Sequence, residues 1–344
     1  MNSSAIIAMS GGVDSSVAAL LVNARERVGI TLKLFDGDGG CCSIDDVTDA
    51  KAVCQRLGIP HYSLNYKEAF NKYVVEHFVR SYESGITPNP CIECNRTMKF
   101  ERLFTEADAM KFNTLATGHY AAVSQIGGNF YLQKGLDETK DQSYVLYMIR
   151  REFLPRVQFP LGTLRKSEVR EIAAANGFIN ARKKDSQDVC FVPDGDYSAF
   201  MAQYTGKTYP PGDFVDVNGE VLGRHSGSVK FTIGQRRGLG VSHSEPLYVK
   251  SKNGNSVTLA PERELYSSVL FADNLNILVP DKLNSKFNCS AKTRYRQPEQ
   301  PCTAELVGKD KLRVEFTAPQ RAITPGQAVV LYDGNTILGG GTIL

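Results

Sequence analysis

Three short strings in this chain hold side chains suited to chemistry. In the first, Ser10-Gly11-Gly12-Val13-Asp14-Ser15-Ser16 follows an apolar run, Ala5-Ile6-Ile7-Ala8-Met9, and precedes Val17, Ala18, Leu20, Leu21 and Val22. That order reads as strand, glycine turn and helix. The turn aims backbone N–H groups at one spot, and the missing side chains let a phosphate come close. No lysine stands where a Walker A loop requires one, so a kinase-like γ-phosphate cradle is not indicated. Ser10, Ser15 and Ser16 supply hydroxyls, and Asp14 supplies a carboxylate able to hold Mg²⁺ against phosphate oxygens. A bare Gly-Gly is more often a capped turn; here its context favours an anion site.

The other two strings carry thiols: Asn89-Pro90-Cys91-Ile92-Glu93-Cys94-Asn95, and Lys183-Lys184-Asp185-Ser186-Gln187-Asp188-Val189-Cys190-Phe191. A Cys-x-x-Cys pair can bind metal, form a redox disulfide or be two ordinary cysteines. Lysines near Cys190 favour its thiolate, the nucleophilic form, unless they simply line a solvated face. Four-thiolate zinc needs a second matched pair, and none is spaced for it. Cys41 and Cys42 are adjacent, which is awkward for one ion, and Cys54, Cys289 and Cys302 read as buried structural thiols.

These strings require a scaffold. Apolar runs at 5–9, 28–34, 62–64 and 114–117 alternate with helical patterns at 44–57, 69–80 and 98–110, which predicts a parallel sheet covered on both faces. From about Asp194 the texture changes. Glycine and proline punctuate short alternating segments at 214–217, 229–233, 257–259 and 328–332, which predicts β structure. Pro261 and the apolar stretch 269–279 mark a further break. The expected fold is therefore α/β: a catalytic domain over 1–195, a small β-rich central domain over 196–260, and a C-terminal barrel or sandwich over 261–344.

The 344 residues are 42% hydrophobic and 22% charged, with a formal net charge of +3. This excludes disorder, collagen and coiled coil, and any nucleic acid would have to meet a local basic patch rather than an overall field. The start of the chain lacks a secretory pattern and no apolar run approaches bilayer length, so a cytoplasmic protein with no membrane partner is expected. Eight cysteines without secretion point to thiol or metal chemistry rather than a disulfide framework.

Further strings join these three: Thr87-Pro88-Asn89-Pro90, Lys99-Phe100, Ala116-Thr117-Gly118-His119-Tyr120, Lys140-Asp141-Gln142-Ser143-Tyr144, Gly234-Gln235-Arg236-Arg237-Gly238-Leu239-Gly240, Lys292-Thr293-Arg294-Tyr295-Arg296 and Thr324-Pro325-Gly326-Gln327. In this order, over essentially the whole chain, they resemble the bacterial tRNA-specific 2-thiouridylases of the PP-loop ATP pyrophosphatase superfamily. The resemblance implies a Rossmann-like PP-loop (HUP) domain, a small β-rich middle domain and a C-terminal β-barrel that binds tRNA. It implies that ATP adenylates O2 of wobble uridine 34 in the tRNAs for Lys, Glu and Gln, and that sulfur then replaces the oxygen, with release of AMP and pyrophosphate.

Carried over residue by residue, the resemblance assigns Ala8, Met9, Ser10, Gly11, Gly12, Val13, Asp14, Ser15, Leu32 and Gly118 to ATP. It makes Cys94 the nucleophile position and Cys190 the persulfide carrier. Leu32 stands where the family commonly has methionine, a mild change for a side chain packing on adenine. Cys91 stands where several relatives carry an aspartate proposed as general acid or base, a role that a thiol does not inherit. Two sulfur routes follow. In one, Cys190 carries sulfane sulfur from a cysteine desulfurase or a sulfur-relay protein, and Cys94 resolves the adduct as a Cys94–Cys190 disulfide. In the other, Cys91, Cys94 and Cys190 ligate a [4Fe–4S] cluster whose open iron delivers hydrosulfide. The cluster is the reading preferred for this variant.

A uridine in an anticodon loop hides O2 until the base is splayed out, so several modules must hold the tRNA. The resemblance assigns His119, Lys140, Asp141, Gln142, Arg294, Tyr295 and Gln327 to that task. Arg294-Tyr295-Arg296 offers guanidinium and an aromatic face for phosphate and base, and Arg236-Arg237 adds local charge. Each also has an ordinary reading: a satisfied histidine, a helix start, a half-exposed strand. An amidating PP-loop synthetase or a nucleotide-gated tRNA-binding or redox-sensing protein are the competing classes, and tRNA-dependent AMP release separates them from a thiolase.

Overall fold

A computed structural model of the chain describes residues 3–35, 43–183, 185, 189–192, 194–283, 285–308 and 310–344. Cys41, Cys42, Lys184, Ser186, Gln187 and Asp188, named above, lie outside the described residues.

The first half runs β1 (Ser4–Ala8), α1 (Val13–Leu21), β2 (Glu26–Lys33), α2 (Ile44–Arg56) and β3 (His61–Asn65). Next come α3 (Lys67–Phe70), a π-helical stretch Asn71–Val75, α4 (Glu76–Glu83), α5 (Pro90–Glu93), a second π-helical stretch Cys94–Arg102 and α6 (Leu103–Ala109). β4 (Thr114–Ala116), β5 (Ala121–Ile126), β6 (Asn129–Lys134), α7 (Ser143–Leu146), β7 (Val157–Gln158) and α8 (Lys166–Ala175) complete it. The parallel sheet has the order β3-β2-β1-β4-β7. Along β1, Ile6 faces one packed cluster while Ala5 and Ile7 face another, so the strand is buried on both faces as its unbroken apolar run predicts. Because β2 and β4 flank β1 on opposite sides, the strand order reverses there. The loops leaving β1 and β4 open a crevice at that switch point, where open α/β sheets bind ligands.

After α9 (Tyr197–Thr205), a second sheet joins β8 (Gly212–Val215), β9 (Val221–His225), β10 (Leu247–Asn253) and β11 (Ser256–Pro261) in the order β10-β11-β8-β9. The expected strand at 229–233 is not one. Val229 and Phe231 are buried, but Ser228–Lys230 is a 3₁₀ turn after Gly227, whose φ is +128°, so the alternation reflects packing without a ladder. β8 also stops at Val215, because Asp216 accepts backbone hydrogen bonds from Asn218 and Glu220 and turns the chain.

The remaining strands are β12 (Tyr266–Ile277), β13 (Phe287–Lys292), β14 (Gln300–Val307), β15 (Lys311–Arg321), β16 (Ala328–Asp333) and β17 (Thr336–Ile343). They pair in the order β12-β15-β14-β13-β16-β17, and β12–β17 pairing closes an antiparallel barrel. The β5–β6 hairpin, turned by Gly127-Gly128 with both φ positive, adds to the barrel through β17. Ala328, Val330, Tyr332 and Ile337 of the barrel share a core with Ile6, Ile30 and Leu115 of the parallel sheet, so barrel and sheet are packed as one body. Among the described residues, no helix is long and apolar enough to cross a membrane.

Candidate active site

The turn after β1 is built around Gly11. Its φ is +73°, and a Cβ there would lie 2.2 Å from the Asp46 carbonyl oxygen, so only glycine fits. Asn180 donates its side-chain amide to the Gly11 carbonyl at 2.8 Å and to Ser16 Oγ at 2.9 Å, fixing the turn from behind. Ser15 Oγ donates to the Gly12 carbonyl at 3.0 Å and accepts from the Ser10 backbone N–H at 3.2 Å. Gly12 caps α1 without a side-chain hydrogen bond, so the positive end of the helix dipole faces the crevice. Across it, Gly118 follows β4 with its Cα pressed on the Asp14–Ser15 peptide, where a Cβ would come within 2.7 Å of backbone. Leu32, next to last in β2, is buried.

Asp14 belongs to a charge network that the sequence did not reveal. Lys166 Nζ reaches both Asp14 carboxylate oxygens, at 2.7 and 2.8 Å, and Asp185 Oδ1 at 2.8 Å. Tyr120 donates its hydroxyl to Asp14 Oδ1 at 2.8 Å, and Lys140 and Arg170 also pair with Asp185, at 2.8 and 3.1 Å. Burial alone would raise the Asp185 pKa; hydrogen bonds from Lys140 and Lys166 outweigh it and hold the carboxyl below its ordinary range. Lys166 shares the buried stripe of α8 with Val169 and Ala173, and a lysine on an apolar stripe was the available signal.

The cysteine helix starts where Asn89 accepts the Cys91 backbone N–H at 3.1 Å, with Pro90 at the first helical position, so the start lies at residue 90 rather than the expected 98. Cys91 is exposed, Cys94 half-buried at the onset of the π-helical stretch, and Cys190 half-buried beside Phe191. Phe191 anchors that segment by packing edge-on against Phe70 and Phe78, with centroids at 5.8 and 5.2 Å. Cys94, Cys190 and Ala8 abut the same core cluster, which also contains Leu32. Among the described residues, no three Cys, His, Asp or Glu side chains are placed to hold a single metal ion.

Residues 3–194 match the family described as tRNA methyl transferase HUP domain, 198–260 its PRC-barrel domain, and 267–343 the aminomethyltransferase beta-barrel domain. The tRNA-specific 2-thiouridylase MnmA of Carboxydothermus hydrogenoformans is 46% identical, with 98% of this chain and 96% of that protein covered. The protein of the same name from Symbiobacterium thermophilum is 44% identical, over 98% of this chain and 91% of its own. The chain belongs to the tRNA-specific 2-thiouridylase family. It is an enzyme of tRNA uridine 2-thiolation, built on the HUP fold of ATP-using enzymes. Among solved structures, the U34-tRNA thiolase NcsA from Methanococcus maripaludis with its [4Fe-4S] cluster aligns at a TM-score of 0.37 and 18% identity, covering 60% of this chain and 65% of that one. A likeness that slight carries no argument about chemistry.

Most of the side chains that the 2-thiouridylase resemblance assigns to tRNA make internal bonds. His119 is buried, bonded to Thr117 Oγ1 at 2.8 Å and stacked on Phe100; burial, then Lys99, pushes its pKa well below the ordinary imidazole value. Lys140 is paired with Asp185, as described. Asp141 accepts from the Gly135 N–H and the Ser143 hydroxyl, and Gln142 Oε1 accepts from the Tyr120 N–H. Arg294 Nη2 donates to the Ile233 and Ala322 carbonyls, each at 3.1 Å, and to Thr324 Oγ1 at 2.7 Å, joining the central sheet to the barrel. Gln327 bonds the Thr87 carbonyl at the entry to the cysteine helix. Tyr295 is 37% exposed, with its ring tilted against that of Tyr144 at a centroid distance of 6.1 Å; burial, then Asp141 and Cys91, raises its pKa.

Proposed function

We propose that this enzyme activates the wobble uridine of the tRNAs for Lys, Glu and Gln with ATP and replaces its O2 with sulfur carried on Cys190. The observation carrying the proposal is that Lys166 bridges Asp14 of the nucleotide turn and Asp185, which ties the segment leading to Cys190 to that turn. In the first step uridine O2 attacks the α-phosphorus of ATP; a C2–O–P linkage forms and pyrophosphate leaves toward Ser10, Gly11, Gly12, Val13 and Ser15 at the start of α1. In the second, the terminal sulfur of a Cys190 persulfide attacks C2 and AMP departs with the C–O bonding pair, leaving a C2–S–S–Cys190 adduct. In the third, the Cys94 thiolate attacks Cys190 Sγ; the adduct S–S bond breaks toward the base, giving 2-thiouridine and a Cys94–Cys190 disulfide that an external thiol reduces.

Mg²⁺ bound with ATP neutralises phosphate charge. Asp14 is the carboxylate nearest that task, and Lys166, already on both its oxygens, shares it. No step is routed through an iron–sulfur cluster. A cysteine desulfurase or sulfur-relay protein supplies the persulfide, in the cytoplasm, where ATP and tRNA are both at hand. Tyr295 meets the tRNA directly, whereas His119, Lys140, Asp141, Gln142, Arg294 and Gln327 shape the surface that receives it. Nucleoside mass spectrometry after incubating the chain with tRNA, ATP, Mg²⁺ and a persulfide donor tests this. 2-Thiouridine at position 34, with one AMP released per sulfur inserted, supports the proposal; AMP release without 2-thiouridine overturns it.

A further inference from the structure

Two cysteines remote from this chemistry face each other in the barrel. Cys289 of β13 and Cys302 of β14 are direct cross-strand partners, and their sulfurs lie 3.5 Å apart. Taken singly, each reads as a buried structural thiol; the register makes them a dithiol. Directly opposed residues of an antiparallel pair have Cα separations of about 4.5–5.5 Å, within the range that a disulfide spans without moving the backbone. Cys302 is buried among Ala304, Val314 and Phe316, while Cys289 is half-buried at the rim of the same cluster. Cys54, by contrast, is fully buried.

We infer that Cys289 and Cys302 form a second redox site, a cross-strand dithiol that a peroxide converts to a disulfide. The more accessible sulfur, Cys289, attacks hydrogen peroxide: an S–O bond forms, the O–O bond breaks, and the other oxygen leaves as water with the thiol proton. Cys302 Sγ then attacks the sulfenic sulfur; the S–S bond forms, the S–O bond breaks, and hydroxide leaves as water with the Cys302 proton. Two thiols lose two electrons and one peroxide becomes two waters. The thiolate is the attacking form; the hydrogen bond between the sulfurs, followed by burial, raises the Cys289 pKa and keeps that form scarce at neutral pH, so the reaction is slow there and quickens as pH rises. The bridge crosses the middle of the β13–β14 ladder, below the loop that carries Tyr295 and Arg294, whose guanidinium bonds the Ile233 carbonyl of the central domain.

The test uses the full chain with hydrogen peroxide at pH 7 and pH 9, followed by alkylation, digestion without reduction and peptide mass spectrometry. The expected result is a Cys289–Cys302 cross-linked peptide that forms faster at pH 9 and disappears with dithiothreitol. In Cys302→Ser the cross-link is absent, and a dimedone adduct marks sulfenic acid at Cys289. Alkylation of both cysteines after peroxide, or a Cys289 that gives no dimedone adduct in Cys302→Ser, overturns the inference. Neither result bears on thiolation, since the readout involves no tRNA.

Discussion

Gln327 donates its side-chain amide to the Thr87 carbonyl at 2.8 Å, a bond spanning 240 residues of sequence. The Thr87 N–H returns a bond to the Pro325 carbonyl at 3.0 Å. A loop of the C-terminal barrel thereby fixes the segment that starts the cysteine helix two residues later, at Asn89. Gln327→Ala is expected to cost about 1 kcal/mol in urea unfolding. Thiolation should fall further than that loss explains, while ATP affinity measured by calorimetry stays at its wild-type value.

Gly11→Ala tests the nucleotide turn. The left-handed backbone costs an alanine about 1–3 kcal/mol, before any shift of Asp46 to relieve the Cβ contact. Loss of ATP binding with tRNA binding retained is the expected outcome, read by calorimetry and filter binding on the folded fraction.

Lys166→Met leaves Asp14 and Asp185 without their shared cation. Both carboxylates keep part of their exposure, with side chains 31% and 25% accessible, so the expected destabilisation is about 2 kcal/mol, below that of breaking a fully buried pair. Because the same ammonium holds Asp185 below its ordinary range, the variant's Asp185 should titrate at higher pH than the wild type's, measurable by carboxylate NMR.

The reach of sequence reasoning follows from distance along the chain. The Ser10–Ser16 turn was legible because its strand, glycines and helix are contiguous, and the centre of the parallel sheet because β1 and β2 carry their own apolar runs; the two-residue edge strand β7 carries none and was not anticipated. The Lys166–Asp14 bond joins positions 152 residues apart; the apolar stripe of α8 marks Lys166 but does not name its partner. Cys91 and Cys94 lie close together in sequence and Cys190 on a distant segment, so spacing alone does not say how the three thiols sit relative to one another. At 229–233 alternation suggested a strand because burial of Val229 and Phe231 imitates the two-residue period. The β5–β6 hairpin turns at Gly127-Gly128, a local signal that was not among the sequence-based expectations, and its docking on β17 is nonlocal.

His119 supplies a pH signature. Its folded pKa lies well below 6.5, so the unfolded chain binds the proton first as pH falls. Its contribution is complete above pH 6.5 and is lost as pH drops toward the folded value, at about 1.4 kcal/mol per pH unit. His61 and His225 are lowered too, chiefly by burial, so the signature is the difference between wild type and His119→Asn. Urea unfolding from pH 7.5 to 5 should show a shallower loss of stability in the variant.

The central claim, that Cys190 carries the sulfur and Cys94 releases it, is tested most directly by Cys94→Ser incubated with ATP, Mg²⁺, tRNA and a persulfide donor. The account predicts that tRNA remains covalently attached to the protein through Cys190, that dithiothreitol frees it as 2-thiouridine-containing tRNA, and that Cys190→Ser forms neither adduct nor product. Undiminished 2-thiouridine formation by Cys190→Ser would contradict it.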